Sequence, residues 1–200
     1  MAKPRASVPG ETAAVIEREA LNLFHAKGFH ATSIREIASA AGIVPATLFY
    51  HFAVKEDILL RIMHRSIDST IERVEAARAT GVDSTTRLAA VVNALVHAHT
   101  ALQMQSLVNN TELRSLRPEA AREVVAKRSA LARIVERIVE EGCESGVFHV
   151  ERPKEAANAI VTMVTSIATW YRPQKSRSPE QISAAYVGYS LRIVGVASVA

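Results

Sequence analysis

The sequence predicts an all-α protein, and three observations predict it. Apolar residues recur at helical spacing nearly everywhere along the 200 residues. No stretch alternates apolar and polar residues between turn signals, as a half-buried strand would. Eight glycines and seven prolines punctuate the periodic stretches and form no low-complexity tract. A chain of this length buries about 70% of its unfolded surface, so it needs no cross-link to hold a core.

The elements follow in order. Residues 1–10 set Lys3 and Arg5 among the breakers Pro4, Pro9 and Gly10 and read as a flexible basic arm. A first helix is expected over 12–27, with Ile16, Ala20, Leu23 and Phe24 as its apolar stripe. Gly28 stands where a left-handed residue ends a helix, and Phe29 can fold back on the last turn. Ser33 and Glu36 have the spacing of a capping box, each side chain satisfying a free backbone N–H. They open a short second helix whose inner face is Ile34, Ile37, Ala38 and Ala41, ended by Gly42. Pro45 fits the first position of a third short helix, where its missing N–H costs nothing. Leu48 and Phe52 anchor it.

A long fourth helix is expected over 55–80. Gly81 breaks it, and Asp83 or Ser84 can cap a fifth over 85–103. The fifth carries a broad apolar face of Leu88, Val91, Val92, Leu95, Val96, His99 and Leu102. Residues 109–116 read as short and irregular. Pro118 opens a seventh, amphipathic helix to about 144, with Val124, Leu131, Val135, Ile138 and Val139 inside. Gly142, Gly146 and Pro153 mark the connection to an eighth helix over 154–170. Apolar or small residues surround that helix, so it is expected to be buried on most sides. Pro179 starts a ninth helix reaching about 194.

Composition excludes several classes. The single cysteine, Cys143, rules out an internal disulfide framework and a multi-thiolate metal site. The N-terminus lacks the apolar run of a signal peptide, and no stretch of apolar residues is long enough to span a bilayer. A cytoplasmic protein with no membrane partner is expected. The net charge is +4, and the first 65 residues hold eight basic against six acidic side chains, a balance that permits nucleic-acid contact. No nucleophile elbow, phosphate-cradling glycine loop or His-Glu-x-x-His stretch is present, so no catalytic residue, metal or cofactor is assigned. His97 and His99 lie two residues apart and cannot share a helix face.

The informative unit is 33–52. Two short helices joined by Ala41-Gly42-Ile43 have the plan of a helix-turn-helix. With Leu48 and Phe52 turned inward, the second helix leaves Pro45, Ala46, Thr47, Phe49, Tyr50 and His51 outside. Aromatics on a solvated face of so short a helix suit a major groove, where apolar groups meet thymine methyls and hydroxyls reach phosphates.

The continuous run His30-Ala-Thr-Ser-Ile-Arg-Glu-Ile-Ala-Ser-Ala-Ala-Gly-Ile-Val-Pro-Ala-Thr-Leu-Phe-Tyr-His-Phe-Ala-Val-Lys-Glu-Asp-Ile-Leu resembles the DNA-binding region of TetR-family repressors, over about 12–62. The resemblance implies a nine-helix architecture: a helix-turn-helix domain over 11–54 and an effector-binding and dimerisation domain over 55–200. It implies a homodimer on double-stranded operator DNA, released by a small-molecule effector. Carried over by position, Arg35 is a phosphate or base contact, and Pro45, Ala46, Thr47, Phe49 and Tyr50 belong to the recognition helix. His51 and Lys55 match positions that touch the DNA backbone. Lys3 and Arg5 can follow the minor groove. Val44 and Val54 stand where Ser is common, and Phe49 where Tyr is frequent.

The same resemblance places an effector among helices four to eight. Its candidate lining is Met63, Ile67, Leu95, His99, Leu102, Met104, Leu107, Asn110, Leu113, Arg128, Leu131, Ala132, Val161, Val164, Thr165 and Trp170. Trp170-Tyr171-Arg172-Pro173 ahead of Ser178-Pro179-Glu180-Gln181-Ile182 looks like a subgroup that answers to acyl-coenzyme A thioesters in lipid or sterol breakdown. An efflux-type regulator sensing hydrophobic drugs and an effector-free DNA-binding protein are the alternatives. A dimer interface is expected on the last two helices, from Ala156, Ile160, Val164, Ile167, Ala185 and Tyr189.

Overall fold

The computed structural model describes residues 9–175 and 177–196, and Lys3 and Arg5 of the expected arm lie outside the described residues. In chain order the helices are α1 (Pro9–Lys27), α2 (Ile34–Ala40), α3 (Pro45–His51), α4 (Lys55–Arg78) and α5 (Ser84–Ala101). Then come α6 (Gln103–Thr111), α7 (Pro118–Glu144), α8 (Pro153–Thr165) with a further helical turn Ile167–Trp170, and α9 (Pro179–Ile193). No strand occurs among the described residues.

The chain forms two compact units, one of the chain up to Arg65 with Leu107–Val124, the other of Ser66–Ser106 with Val125 onward. They do not divide at the expected boundary after residue 54. In the first unit α1, α2 and α3 pack pairwise. Its buried side chains include Ile16, Ala20, Phe24, Ile37, Ala38, Leu48, Phe52, Ile58 and Leu59. Glu17 is nearly buried on α1 and is held by Arg61 at 2.9 Å and Arg65 at 2.8 Å.

The second unit is built on one apolar cluster. Val74 of α4, Leu88 to Val96 of α5, Ile134 to Val139 of α7, Ile160 and Val164 of α8, and Ile182 and Val194 share it. Gly142 of α7 permits this packing: a Cβ there would meet the Phe148 ring at 2.1 Å.

Four boundaries differ from expectation. Helix α1 begins at Pro9, so Pro9 and Gly10 belong to it and not to an arm. A proline at a first helical turn loses no bond. The stretch expected to be irregular is mostly helical, as α6 and a 3-10 turn Leu113–Ser115. Polar Gln103, Gln105 and Asn109 masked its period. The fifth helix stops at Ala101, and Leu102 turns the chain.

The eighth helix breaks at Ser166. Thr165 and Ser166 donate back to the carbonyls of Val161 at 2.8 Å and Met163 at 2.7 Å, and such side-chain bonds compete with the helix ladder. That helix is buried on one face only: Lys154, Asn158, Thr162 and Thr169 are exposed. Ile160, Val164 and Ile167, expected at a dimer interface, are wholly buried inside the single chain. Their side chains complete the unit's own core, whereas Tyr189 stays exposed.

Between α2 and α3, Gly42 takes φ +68° with open space beside it. Gly42→Ala therefore costs only the left-handed strain of a Cβ, about 1–2 kcal/mol, read as a lower denaturant midpoint at unchanged slope.

Candidate nucleic-acid interface

The face predicted to meet DNA is assembled from the start of α2, all of α3 and the first residue of α4. Ser33 and Glu36 form the expected capping box: Ser33 Oγ accepts from the Glu36 amide at 3.2 Å, and Glu36 accepts from the Ser33 amide at 2.8 Å. Lys27 also donates to Glu36, and with the Ser33 bonds this holds its carboxyl at about 2, well below the usual range. The start of α2 is thus fixed, with Arg35 exposed beside it.

After α2 the Ile43 amide reaches back to Ala38 O at 2.9 Å, a capping bond that the positive φ of Gly42 permits. Pro45 then opens α3, and Val44 supplies no side-chain cap. Leu48 and Phe52 are buried. They fix the rotation of α3, leaving Phe49 53% and Tyr50 80% exposed. Pro45 and Ala46 are also exposed, and Thr47 and His51 partly so. The Tyr50 and His51 rings meet edge to face at 5.2 Å. Seven of the eight predicted residues therefore lie at least partly open to solvent with their side chains uncommitted to the core.

Lys55 is the exception. Its ammonium turns inward, donating to Phe29 O and Thr32 O at 2.6 Å each and lying 4.1 Å from the Phe29 ring centre. Burial lowers its pKa. Two of its three N–H donors hold the corner between α1 and α2. Sequence reasoning missed this task. A signal existed, because a cation at a helix N-terminus opposes the helix dipole and asks for another reason to be there.

The effector candidates divide between the two units. Leu95 and Val164 are fully buried in the second unit's cluster, with Leu131 and Val161 packed against it. Ile67 is buried and Leu102, Met104, Ala132 and Thr165 partly buried. His99 is buried, with Nδ1 3.1 Å from Ser106 Oγ and no hydrogen-bond partner on Nε2. Burial pushes its pKa down to about 4. Arg128 is half-buried, and burial lowers its pKa too.

Met63, Leu107, Asn110 and Leu113 belong instead to the first unit, where Met63 is wholly buried and Asn110 exposed. Trp170 stands apart, 6.4 Å from the Tyr186 ring, in an open groove of about 420 Å³ with Arg177, Ile182, Ala185 and Tyr189. Gln103, not foreseen, donates to Ala168 O at 2.9 Å and Tyr171 O at 2.6 Å, pinning the end of the Ile167–Trp170 turn. Among the described residues no three His, Cys, Asp or Glu side chains group as a metal site, and no helix is long and apolar enough to cross a membrane.

Comparison with known proteins gives concordant matches. Residues 16–62 match the profile of bacterial regulatory proteins, tetR family, and residues 81–194 that of a tetracyclin repressor-like C-terminal domain. A crystal structure of a tetR-family regulatory protein from Rhodococcus RHA1 superposes with a TM-score of 0.89 at 32% identity, covering 94% of this chain and 99% of that one. The HTH-type transcriptional repressor KstR2 of Rhodococcus jostii is 27% identical over 90% of this chain and 88% of its own length. A fatty acid metabolism regulator protein of Bacillus subtilis is 24% identical over 76% of this chain and 79% of its own.

Proposed function

The chain belongs to the TetR family of DNA-binding transcriptional regulators, and from that premise we propose that it is a homodimeric repressor released from a palindromic operator by a small apolar effector. The observation that carries the DNA contact is the exposed Phe49–Tyr50 face of α3, held outward by buried Leu48 and Phe52. Tyr50 and Thr47 read base edges, Arg35 and His51 hold phosphates, and Pro45 and Ala46 allow close approach. Two copies in a dimer then set their recognition helices about 34–36 Å apart, one turn of B-DNA. Exposed Trp170, at the end of the Ile167–Trp170 turn, and Tyr189 of α9 supply apolar surface for the second copy.

Lys55 serves this surface from behind. Lys55→Ala is expected to weaken operator binding more than binding to scrambled duplex and to lower thermal stability. The slope of log K against log salt stays within about 0.3 of the parent, whereas a lost phosphate contact would change it by about 0.9.

The effector reading is a long apolar molecule with an anionic end, an acyl thioester of coenzyme A. It is supported by the fatty-acid regulator among the relatives and by apolar Ile67, Leu102, Leu131 and Val161. Half-buried Arg128 of α7 places a guanidinium in the same unit as these apolar side chains, and a guanidinium suits a carboxylate or phosphate. Leu95, Val164 and Met63 are reached only if packed side chains part.

The test is operator release, measured by fluorescence anisotropy with acyl-CoA thioesters, free fatty acids and cationic drugs. Release by thioesters is expected. Release by the drugs alone replaces the thioester with an efflux-type effector, and release by none of them favours an effector-free protein.

A further inference from the structure

The first compact unit contains more than the helix-turn-helix and the start of α4: residues 107–124 belong to it as well. Three polar links join that distant segment to the head. Arg117 donates its backbone N–H to Glu56 at 2.7 Å and its Nε–H to the other carboxylate oxygen at 3.0 Å, with Asp57 4.0 Å away. Ser115 Oγ donates to Glu112 at 2.8 Å and lies 3.2 Å from His30 Nε2. With the single hydroxyl hydrogen spent on Glu112, the His30 ring is the donor in that second bond. Glu112 in turn approaches Gly28, where a Cβ would stand 3.6 Å from its carboxylate, and its charge acts on the Lys55 ammonium. Leu116, Ala120 and Val124 bury the apolar side of the same segment.

The head residues touched are not arbitrary. Gly28 and His30 form the corner between α1 and α2, which sets the direction of α2. Glu56 and Asp57 lie in the first turn of α4, immediately after α3. Lys55 ties this turn to the same corner through Phe29 O and Thr32 O. Each end of the helix-turn-helix is therefore fastened to the 112–117 turn, and of the residues involved only Lys55 was predicted to lie on the DNA face.

We propose that Glu112, Ser115 and Arg117 are positioning residues for DNA recognition: they hold the α1–α2 corner and the start of α4 in the relative placement that operator reading requires. The proposal rests on the operator-binding reading above. Sequence-specific contact demands that α3 sit in the groove at a fixed angle, whereas non-specific binding needs only charge near the phosphates. Loosening the clasp thus lowers specific affinity and spares non-specific affinity. A purely structural loss would instead lower both by the same factor, the fraction of folded protein.

The experiment uses the full-length protein with Ser115→Ala and Glu56→Gln combined, neither change removing a cation. Ser115→Thr, which keeps the hydroxyl, and Arg117→Lys, which keeps the charge without the fork, are made alongside. Affinities are measured for a duplex selected from a random pool by the parent protein and for a scrambled duplex of equal length. The double variant is expected to lose about tenfold or more of operator affinity, the size of a clear specificity effect, with scrambled-duplex affinity within about twofold. Ser115→Thr keeps most of the operator affinity and Arg117→Lys lies between.

Unchanged operator affinity in a folded double variant overturns the proposal, and so does an equal loss on both duplexes. Should the double variant fail to fold, the single Ser115→Ala and Arg117→Lys proteins decide by the same ratio. A parent protein that selects no sequence over random duplex overturns the operator reading itself, a distinct outcome that takes this proposal with it.

Discussion

Tyr50→Ala lowers operator affinity by about 1–3 kcal/mol for each half-site, and a dimer loses that amount twice. The size follows from where the ring stands. Tyr50 is 80% exposed, so the free protein gains nothing from it that folding would miss. Its one ring neighbour among the described residues is His51 at 5.2 Å. The loss therefore falls on the complex alone, and thermal unfolding of the free variant should match the parent within about 0.5 kcal/mol, as for other surface substitutions. Binding to scrambled DNA changes little. Weakened folding, or undiminished operator binding, would each count against this face. Phe49→Ala should follow the same pattern, since an apolar ring at 53% exposure serves no core either.

Acid destabilises the parent protein more than a His99→Leu variant, by about 2–3 kcal/mol at pH 4.5. The cause is burial. The imidazole of His99 lies inside the second unit, and only desolvation acts on it, lowering its pKa from 6.5 to about 4. Above pH 6.5 the ring is neutral in the folded and unfolded chains alike, and its contribution is fully present. As pH falls below 6.5 the unfolded chain takes up a proton that the folded chain refuses, so stability declines until about pH 4, where both are protonated. The variant lacks this titration but keeps every other acid-sensitive group, including Glu36, so the difference between the two proteins isolates His99. The measurement is urea unfolding of both at pH 7 and pH 4.5. Equal acid losses would show that the ring is accessible and charged in the native state.

Much of the first unit was legible because its punctuation is chemically explicit. Gly28 and Gly42 take the positive φ values expected of helix ends, and Ser33 with Glu36 closes the expected box. Pro45 opens α3, and Leu48 with Phe52 turns inward, so the exposed face of α3 followed from spacing alone. The inward bonds of Lys55 were not foreseen because its acceptors, Phe29 O and Thr32 O, are backbone atoms more than twenty residues earlier, which the local spacing does not identify.

The second unit was less legible for a different reason. Its apolar residues all read alike, whether they fill a core, line a ligand site or meet a partner. Ile160 and Val164 read as interface and proved to be core. Met63 and Leu107 read as part of one candidate lining with Leu95, and they fall in the other compact unit. Helix α6 escaped notice because Gln103, Gln105 and Asn109 are polar within a short element. The clasp at 112–117 joins polar residues about sixty and eighty-five positions apart, a pairing that appears only once the chain is folded.

The most direct test of the central claim is selection of a binding site from a random duplex pool by the full-length protein, followed by footprinting and determination of the stoichiometry of the complex. The account predicts a palindrome whose half-site centres lie about 34–36 Å apart, or a multiple of that turn, each protected by one copy of the chain. Enrichment of no sequence over the starting pool, or a single unpaired site bound by one copy, would contradict it.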